Sequence, residues 1–311
     1  MVKVFIDGKE GTTGLKIYDR LAKRDDIELI TIDEEKRKDP DERKKCINAS
    51  DITFLCLPDA AAREAVAMVE NPNTRIIDAS TAHRTNDDWA YGFPELCPEF
   101  RKKIETGKRV AVPGCHASGF LSIVYPLVKS GVMPADYPVV CNSISGYSGA
   151  GKKAIAEYND PNRSVYLDSP RQYALTQMHK HLPEMQKISG LTDKPLFTPI
   201  IADFYSGMEV TIPLFTKLLN GTQTPETVYN TLKKHYEGQK MIKVEACFGE
   251  NAVSFMPANL LSDKNTLTIS VHGNVERIIV TAVFDNLGKG ASGAAMQCMN
   301  IMLGLPEDSY L

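Results

Sequence analysis

The N-terminal third of the chain alternates short apolar runs with helical patterns, and this alternation limits the fold more than any other feature of the sequence. The run Val2 to Ile6 stops at Asp7-Gly8, and apolar residues at helical spacing follow from Leu15 to Leu21. Strands that alternate with helices form a parallel sheet with crossover helices, so we predict an α/β fold. The strands are expected at Val2 to Ile6, Ile27 to Ile32, Ile52 to Leu57, Arg75 to Asp78 and Arg109 to Val112.

Beyond Lys129 the pattern changes to runs rich in β-branched residues, with few helical patterns between them. This pattern is typical of an α+β domain built on a largely antiparallel sheet. The stretch Ala291 to Leu303 is helical in pattern and is expected to pack back onto the first domain. We therefore predict one domain at residues 1–116, completed by 286–311, and a second domain at 117–285. Its strands are expected at Val139 to Ile144, Ile200 to Ala202, Glu209 to Leu214, Ile242 to Glu245, Thr266 to His272 and Arg277 to Phe284.

Composition and charge exclude several classes of protein. The 36 Lys and Arg residues nearly balance 39 Asp and Glu, and a formal charge of −3 argues against a nucleic-acid-binding surface. No apolar run approaches the roughly 18 residues of a membrane-spanning helix, and the N-terminus lacks the pattern of a signal peptide. The 7 cysteines form no CxxC pair, so free thiols are expected rather than disulfides or metal ligands. We predict a cytoplasmic protein that binds no nucleic acid, membrane or metal.

A glycine-rich turn separates the first strand from the first helix. Residues Gly8 to Gly14 read Gly-Lys-Glu-Gly-Thr-Thr-Gly. Glycines at such a turn let the backbone approach a pyrophosphate, whose charge then lies at the N-terminus of the helix. The strand before the turn and the helix after it favour a dinucleotide site on a Rossmann-type sheet over a plain tight turn. The predicted cofactor contacts are Gly8, Gly11, Thr12, Thr13 and Gly14.

A second glycine-rich segment, Gly146 to Lys153, has the spacing of a P-loop up to its lysine. Its last position is Lys153, where a P-loop carries the Ser or Thr that meets magnesium. A P-loop phosphotransferase is therefore disfavoured. Two interpretations stay open, a flexible glycine loop and an anion-binding nest to which Ser145 and Ser148 contribute.

Cys115 is the thiol that the sequence singles out. It follows the strand that ends at Pro113-Gly114 and precedes the helical stretch Ala117 to Lys129, so its sulfur is expected at a helix N-terminus. The helix dipole and the unpaired N–H groups at that end favour a thiolate, which is a nucleophile at neutral pH. We predict that Cys115 is the nucleophile and that the other cysteines are inert.

Histidine is the expected proton carrier. His179 and His181 lie two residues apart, and Glu184 follows with a carboxylate that can orient one imidazole. In an extended segment the two rings face opposite sides, so only one points into a given site. His83, His235 and His272 are interpreted as ordinary surface or core residues, and His116 as a neighbour of the thiol.

Taken together, these segments resemble the short-form (type 2) N-acetyl-γ-glutamyl-phosphate reductases, a branch of the semialdehyde dehydrogenase family. The resemblance extends over essentially the whole chain, and the order of its motifs is specific. The histidine segment favours these reductases over the aspartate-semialdehyde dehydrogenases. The matching stretches are Gly8 to Gly14, Asp78 to Arg84, Pro113 to Cys115, Ser145 to Gly151, His179 to Glu184 and Asn286 to Gly293.

The resemblance implies an NADPH-dependent reductive dephosphorylation of an acyl phosphate in arginine biosynthesis. Cys115 would form a thioester that hydride converts to N-acetylglutamate 5-semialdehyde, with His181 as the acid/base group and His179 as the alternative. It also implies a dimer or tetramer of the chain. The residues that it assigns to substrate are Ser80, Arg84, Ser145, Ser148 and Glu184, and those it assigns to the nicotinamide end of the cofactor are Asn286 and Gly290.

Two positions depart from the pattern of the relatives. Many of them carry an aromatic-Pro-Thr sequence after the nucleophile, where this chain has His116-Ala117-Ser118. At the end of the second strand Asp33 is typical of an NAD site, because an acidic residue there binds a ribose hydroxyl. The basic residues Lys36 to Lys38 lie just beyond it and are able to bind a ribose phosphate. The choice of NADP therefore follows from the resemblance.

Three other activities compete with this interpretation. One is the reduction of aspartyl phosphate or another acyl phosphate by the same chemistry. A second is a dinucleotide-binding regulator without catalysis, and a P-loop phosphotransferase is a weaker third. The regulator would bind the cofactor without any turnover that depends on Cys115.

Overall fold

The computed structural model describes residues 1–311, and these divide into two compact units. The first unit comprises Met1–Pro113 and Ala291–Leu311, and the second comprises Gly114–Gly290. No helix in either unit combines the length and the apolar character that a membrane crossing demands.

The first unit is built on a six-stranded sheet in which every neighbouring pair is parallel. Its strands are β1 (Val2–Asp7), β2 (Ile27–Ile30), β3 (Ile52–Leu55), β4 (Arg75–Asp78), β5 (Ala90–Tyr91) and β6 (Arg109–Ala111). They lie in the order β2-β1-β3-β4-β6-β5, with the strand order reversing at β1 and β3. The predicted Rossmann-type parallel sheet is confirmed.

Helices cover both faces of this sheet, which explains why its strands are apolar on both sides. Val4 and Ile6 lie in a core with the C-terminal helix, Gly293–Met302. Phe5, which points to the opposite face, lies in a second core with Ile47 and Ala62. The other helices of the unit are α1 (Thr12–Leu21), α2 (Pro40–Ala49), α3 (Asp59–Ala67) and α4 (Pro98–Thr106).

The second unit contains a seven-stranded mixed sheet. Its strands are β7 (Val140–Gly146), β8 (Arg171–Gln172), β9 (Leu196–Ala202), β10 (Met208–Phe215), β11 (Ile242–Ala246), β12 (Leu267–Gly273) and β13 (Arg277–Phe284). In the order β11-β12-β13-β10-β7-β9-β8, the pairs β11–β12 and β7–β9 are parallel and the remaining four are antiparallel. The predicted second domain with a largely antiparallel sheet is confirmed.

The expectation of few helices in the second half is wrong. Besides the predicted helix after Cys115, three more are present, and α4 in the first unit was also missed. Two of the missed helices have only 8 residues, too few to show a periodic pattern. Helix α4 and the helix Pro225–His235 do carry a readable signal, because each begins with Pro and the second has a capping box. The helices are α5 (Cys115–Lys129), α6 (Lys152–Asn159), α7 (Leu182–Ser189) and α8 (Pro225–His235).

Candidate active site

The glycine turn of the first unit is shaped by the absence of side chains. Gly8 has φ +85°, and a Cβ there would lie 2.4 Å from the carbonyl oxygen of Cys56. A Cβ on Gly14 would lie 2.5 Å from the carbonyl oxygen of Gly8, so only glycine lets α1 start against the turn. Thr12 and Thr13 at the start of α1 line a cavity of about 180 Å³. The exposed N–H groups of the helix N-terminus fit this cavity to a pyrophosphate.

A larger cavity of about 440 Å³ lies beside the same turn in the first unit. The apolar residues Ile32 and Leu57 line it, although the sequence placed them in strands. Strands β2 and β3 end before them, so these residues lie beyond the strands, where they pack against the core around Phe5 and also line the cavity. Its size and apolar walls fit an adenosine.

The charged residues on this cavity differ from the ones that the sequence suggested. Asp33 and Lys36 are not among the lining residues, whereas Glu34, Arg37 and Lys38 are. Glu34 is paired with Arg37 at 2.6 Å between Oε1 and Nη1. Arg37 and Lys38 lie at this rim of the cavity, and their positive charge suits it to a ribose phosphate.

The predicted substrate residues Ser80 and Arg84 have internal partners in the first unit. The Ser80 amide and hydroxyl both donate to the buried carboxylate of Asp78, at 2.8 Å each, and His83 Nδ1 lies 2.6 Å from the same carboxylate. The Arg84 guanidinium donates from Nε to the Val112 carbonyl at 2.8 Å and from Nη2 to a second backbone carbonyl. The loop after β4 is thereby fixed. His83 is thus a buried, hydrogen-bonded core residue, in agreement with its interpretation from the sequence.

In the second unit, Cys115 is the first residue of α5, with Gly114 as the N-cap. Its side chain is partly exposed, as are those of Cys56 and Cys97, whereas the other four thiols are buried. Burial raises the pKa of the Cys141 thiol, and burial with the charges of Asp78 and Asp7 raises the pKa of the Cys56 thiol to about 12. A thiol at the N-terminus of a 15-residue helix has the position that favours thiolate.

Glu184 and Gly290 set the position of Cys115. The Glu184 carboxylate is 1% exposed, and its Oε1 accepts the Gly114 amide proton at 2.9 Å. This bond ties the start of α7 to the start of α5. On another side, a Cβ on Gly290 would lie only 3.0 Å from the Cβ of Cys115.

The histidine segment is not extended, so the expectation that its two rings face opposite sides does not apply. His181 has helical backbone angles, φ −83° and ψ −13°, because α7 begins at the next residue. The rings of His179 and His181 are 4.7 Å apart, and the His181 amide donates to His179 Nδ1. Their centroids lie 5.6 and 5.5 Å from that of His116. Both imidazoles therefore lie on the same cluster rather than on opposite sides of a strand.

His116 has two hydrogen-bond partners that sequence reasoning missed. Its Nδ1 lies 2.7 Å from Ser143 Oγ, and its Nε2 lies 2.7 Å from the Tyr173 hydroxyl. Burial, with a smaller contribution from the charge of His179, lowers the pKa of His116 to about 3, so the ring is neutral at physiological pH. No local motif marks Ser143 or Tyr173, which reach His116 through the sheet and the loop before α7.

The remaining predicted residues of the second unit form a separate network. Asn286 Nδ2 donates to Ser148 Oγ at 3.0 Å, and Asn286 Oδ1 accepts the Gly207 amide proton at 2.9 Å. The Ser145 hydroxyl donates to the Gly146 carbonyl at 3.0 Å. The Asn286 carboxamide thus joins the glycine-rich segment, which forms a short 3₁₀ helix at Tyr147–Ala150, to Gly207 before β10.

Comparisons with known proteins place the chain among reductases of this architecture. A family model described as the semialdehyde dehydrogenase NAD binding domain matches residues 3–104, and one described as the semialdehyde dehydrogenase dimerisation domain matches residues 115–286. N-acetyl-gamma-glutamyl-phosphate reductase 2 from Nostoc sp. is 45% identical, with 98% of each chain covered. The N-acetyl-gamma-glutamyl-phosphate reductase from Burkholderia ambifaria is 43% identical, with 97% of this chain and 96% of that protein covered.

Solved structures share the fold at low sequence identity. Aspartate semialdehyde dehydrogenase II from Vibrio cholerae has a TM-score of 0.71 at 15% identity, with 98% of each chain covered. Aspartate semialdehyde dehydrogenase from Candida albicans, solved with NADP, has a TM-score of 0.66 at 15% identity, with 97% of this chain and 98% of that chain covered.

Proposed function

The chain belongs to the semialdehyde dehydrogenase family and, within it, to the N-acetyl-gamma-glutamyl-phosphate reductases, and we propose how its residues perform the NADPH-dependent reductive dephosphorylation of N-acetyl-γ-glutamyl phosphate. It is an oxidoreductase that acts on a small molecule, and the product is N-acetylglutamate 5-semialdehyde. The observation that carries the mechanism is the partly exposed Cys115 at the start of α5, within a chain that matches its relatives from end to end.

Cys115 carries the acyl group. Its thiolate attacks the acyl carbon, the carbon–oxygen bond to phosphate breaks, and phosphate leaves with the bonding electron pair, which gives a thioester. NADPH, when bound, supplies the hydride that reduces the thioester carbon. The thiohemiacetal oxygen takes up one proton, and release of that proton with cleavage of the carbon–sulfur bond frees the aldehyde and restores the Cys115 thiolate.

The proton steps are assigned to the histidine pair. We propose His181 as the acid/base group and His179 as the alternative, because both rings lie beside His116 in the unit that holds Cys115. Glu184 supports this arrangement through its bond to the Gly114 amide, which sets the start of α7 against the start of α5.

NADP is the proposed cofactor, and the first unit supplies residues that fit it. The glycine turn with Thr12 and Thr13 would hold the pyrophosphate, and Arg37 and Lys38 would meet the ribose phosphate. Asn286 and Gly290 are proposed for the nicotinamide end, as the family resemblance implies. The relative from Candida albicans that was solved with NADP supports the choice.

The internal bonds of the substrate residues refine their proposed roles. We propose that Ser80, Ser145, Ser148 and Glu184 hold the backbone that binds substrate, since each has a partner within its own unit. Arg84 is held in the same way by the Val112 and Ala79 carbonyls, and we propose that its fixed positive charge attracts the anionic substrate.

The finer features of assembly and location are proposals as well. We propose that unit one is the dinucleotide-binding domain and unit two the catalytic and oligomerisation domain, because the two matched family descriptions fall on them in that order.

Helices α5 and α8 pack against β10 to β13. Alternate residues along β10, such as Thr211, Pro213 and Phe215, are at least partly exposed, so this face suits a second copy of the chain in a dimer or tetramer. We propose a cytoplasmic location, as expected for a biosynthetic reductase.

The experiment that tests this function is the reverse reaction. N-acetylglutamate semialdehyde, phosphate and NADP are mixed with the protein, and the absorbance of the reduced cofactor is followed. We expect phosphate-dependent turnover that is lost in the Cys115→Ser variant while NADPH binding is retained. Turnover only with aspartate semialdehyde would favour the alternative substrate, and cofactor binding without turnover would favour a regulator.

A further inference from the structure

A chain of three hydrogen-bonded side chains in the second unit ends at the Tyr173 hydroxyl. It runs from Ser143 on β7 through His116 on α5 to Tyr173 in the loop after β8. We propose that Tyr173 is a further catalytic residue, whose hydroxyl donates a hydrogen bond to the acyl oxygen when Cys115 attacks the acyl carbon. This inference rests on the proposed function, because that function supplies the acyl group.

The buried Ser143 hydroxyl fixes the first link. Its side chain is 0% exposed, and His116 Nδ1, at 2.7 Å, is its hydrogen-bond partner. The large majority of buried side-chain polar groups are hydrogen-bonded, and a hydroxyl satisfies its proton by donating it to an acceptor. The Ser143 hydroxyl therefore donates to Nδ1, and Nδ1 carries a lone pair rather than a proton.

This first link determines the tautomer of His116. A neutral imidazole whose Nδ1 accepts carries its proton on Nε2. The His116 ring is neutral because burial lowers its pKa to about 3. The Nε2–H group then donates to the Tyr173 oxygen at 2.7 Å. The proton of the Tyr173 hydroxyl is thereby left for an acceptor other than His116.

The acceptor that we propose for this proton is the acyl oxygen, which becomes negatively charged when Cys115 bonds to the acyl carbon. Cys115 precedes His116 at the start of α5, and its thiolate charge adds to burial in raising the pKa of the Tyr173 phenol. The phenol therefore stays protonated, and its ring lies 5.8 Å from that of His179 in the histidine cluster. When the Cys115 sulfur bonds to the acyl carbon, the electron pair of the carbonyl moves onto its oxygen. A fixed neutral donor stabilises that oxygen without transferring a proton.

The direct test is the Tyr173→Phe variant, which keeps the ring and removes the hydroxyl. We expect kcat to fall about a hundredfold with little change in KM, as for the loss of one donor to a developing oxyanion. The rate at which iodoacetamide alkylates Cys115 should stay unchanged, because alkylation forms no oxyanion. Tyr236→Phe is the matched control, since it removes a buried hydroxyl that donates to the Ser122 carbonyl at 2.8 Å, and its kcat should match that of the unchanged protein.

A second variant tests the chain of bonds. Ser143→Ala removes the donor to His116 Nδ1, so kcat should fall about tenfold in the otherwise unchanged protein and not at all in the Tyr173→Phe background. Full kcat in Tyr173→Phe, or equal effects of Ser143→Ala in both backgrounds, would overturn the inference. If the unchanged protein fails to reduce N-acetyl-γ-glutamyl phosphate, the proposed function itself fails. If it turns over and Tyr173→Phe does so equally well, only this inference fails.

Discussion

Replacing Gly290 with Ala tests whether the position of the nucleophile depends on a missing side chain. The added Cβ would lie 3.0 Å from the Cβ of Cys115, 3.1 Å from the Asp285 carbonyl oxygen and 3.2 Å from a ring carbon of Phe284. The Asp285 backbone and the buried Phe284 ring leave the added Cβ no room on two sides. The start of α5, with Cys115, is the part that must move.

The size of the effect follows from these distances. Carbon atoms in contact normally lie about 3.5 to 4.0 Å apart, so a contact of 3.0 Å requires a shift of about 0.5 Å or more. Overpacking of this kind costs about 1 to 3 kcal/mol of the free energy of unfolding. A misplacement of about 1 Å lowers the rate of an enzyme about a hundredfold, so half of that is expected to lower kcat about tenfold.

The Gly92→Ala variant is the matched control for this assay. A Cβ on Gly92 would lie 3.0 Å from both the Ala111 carbonyl oxygen and Cys298 Sγ, a crowding similar to that at Gly290. Both variants should lose similar thermal stability, but only Gly290→Ala should lose about tenfold in kcat. If both variants keep full kcat, or both lose it equally, then Gly290 does not position Cys115.

Three further predictions concern thiol reactivity, cofactor choice and pH. Iodoacetamide should alkylate Cys115 before Cys46, Cys56, Cys141 and Cys247 at neutral pH, because the pKa values of these four thiols are raised. Peptide mass mapping would show the order, and equal rates would contradict it. Replacing Arg37 and Lys38 with Ser should raise the KM for NADPH about tenfold without changing that for NADH. Lys36→Ser is the control, as Lys36 does not line the cavity, and an equal loss for both cofactors would argue against a ribose-phosphate site. Burial and the charge of His179 lower the pKa of His116 from 6.5 to about 3, so the unfolded state binds the extra proton between these values. The free energy of unfolding should therefore fall as the pH drops below about 6.5, by up to about 1.4 kcal/mol per pH unit, and urea titrations of His116→Phe should show a flatter fall. An equally steep fall in that variant would mean that other groups dominate.

The parallel sheet could be predicted because its signals are local. Apolar runs, the turn from Gly8 to Gly14 and the strand before Cys115 each depend on neighbouring residues. The same rule extended the second strand to Ile32, although β2 ends at Ile30, because Ile32 is apolar where it packs against the core and lines a cavity beyond the strand. Local patterns cannot separate burial in a sheet from burial against a ligand site.

The arrangement around the thiol could not be predicted in the same way. His179 and His181 share one cluster because α7 starts immediately after them, and that helix has only 8 residues. Ser143 and Tyr173 reach His116 from 27 and 57 residues away along the chain. Such contacts are set by sheet register and loop course, which leave no periodic trace in the sequence.

The central claim is that Cys115 carries the acyl group between phosphate and hydride. Its most direct test is to mix the protein with N-acetyl-γ-glutamyl phosphate in the absence of NADPH, quench with acid and determine the intact mass and the modified peptide. We expect one N-acetylglutamyl group per chain on the peptide that contains Cys115, lost again when NADPH is added before the quench. An unmodified chain, or the same adduct on the Cys115→Ser variant, would contradict the mechanism.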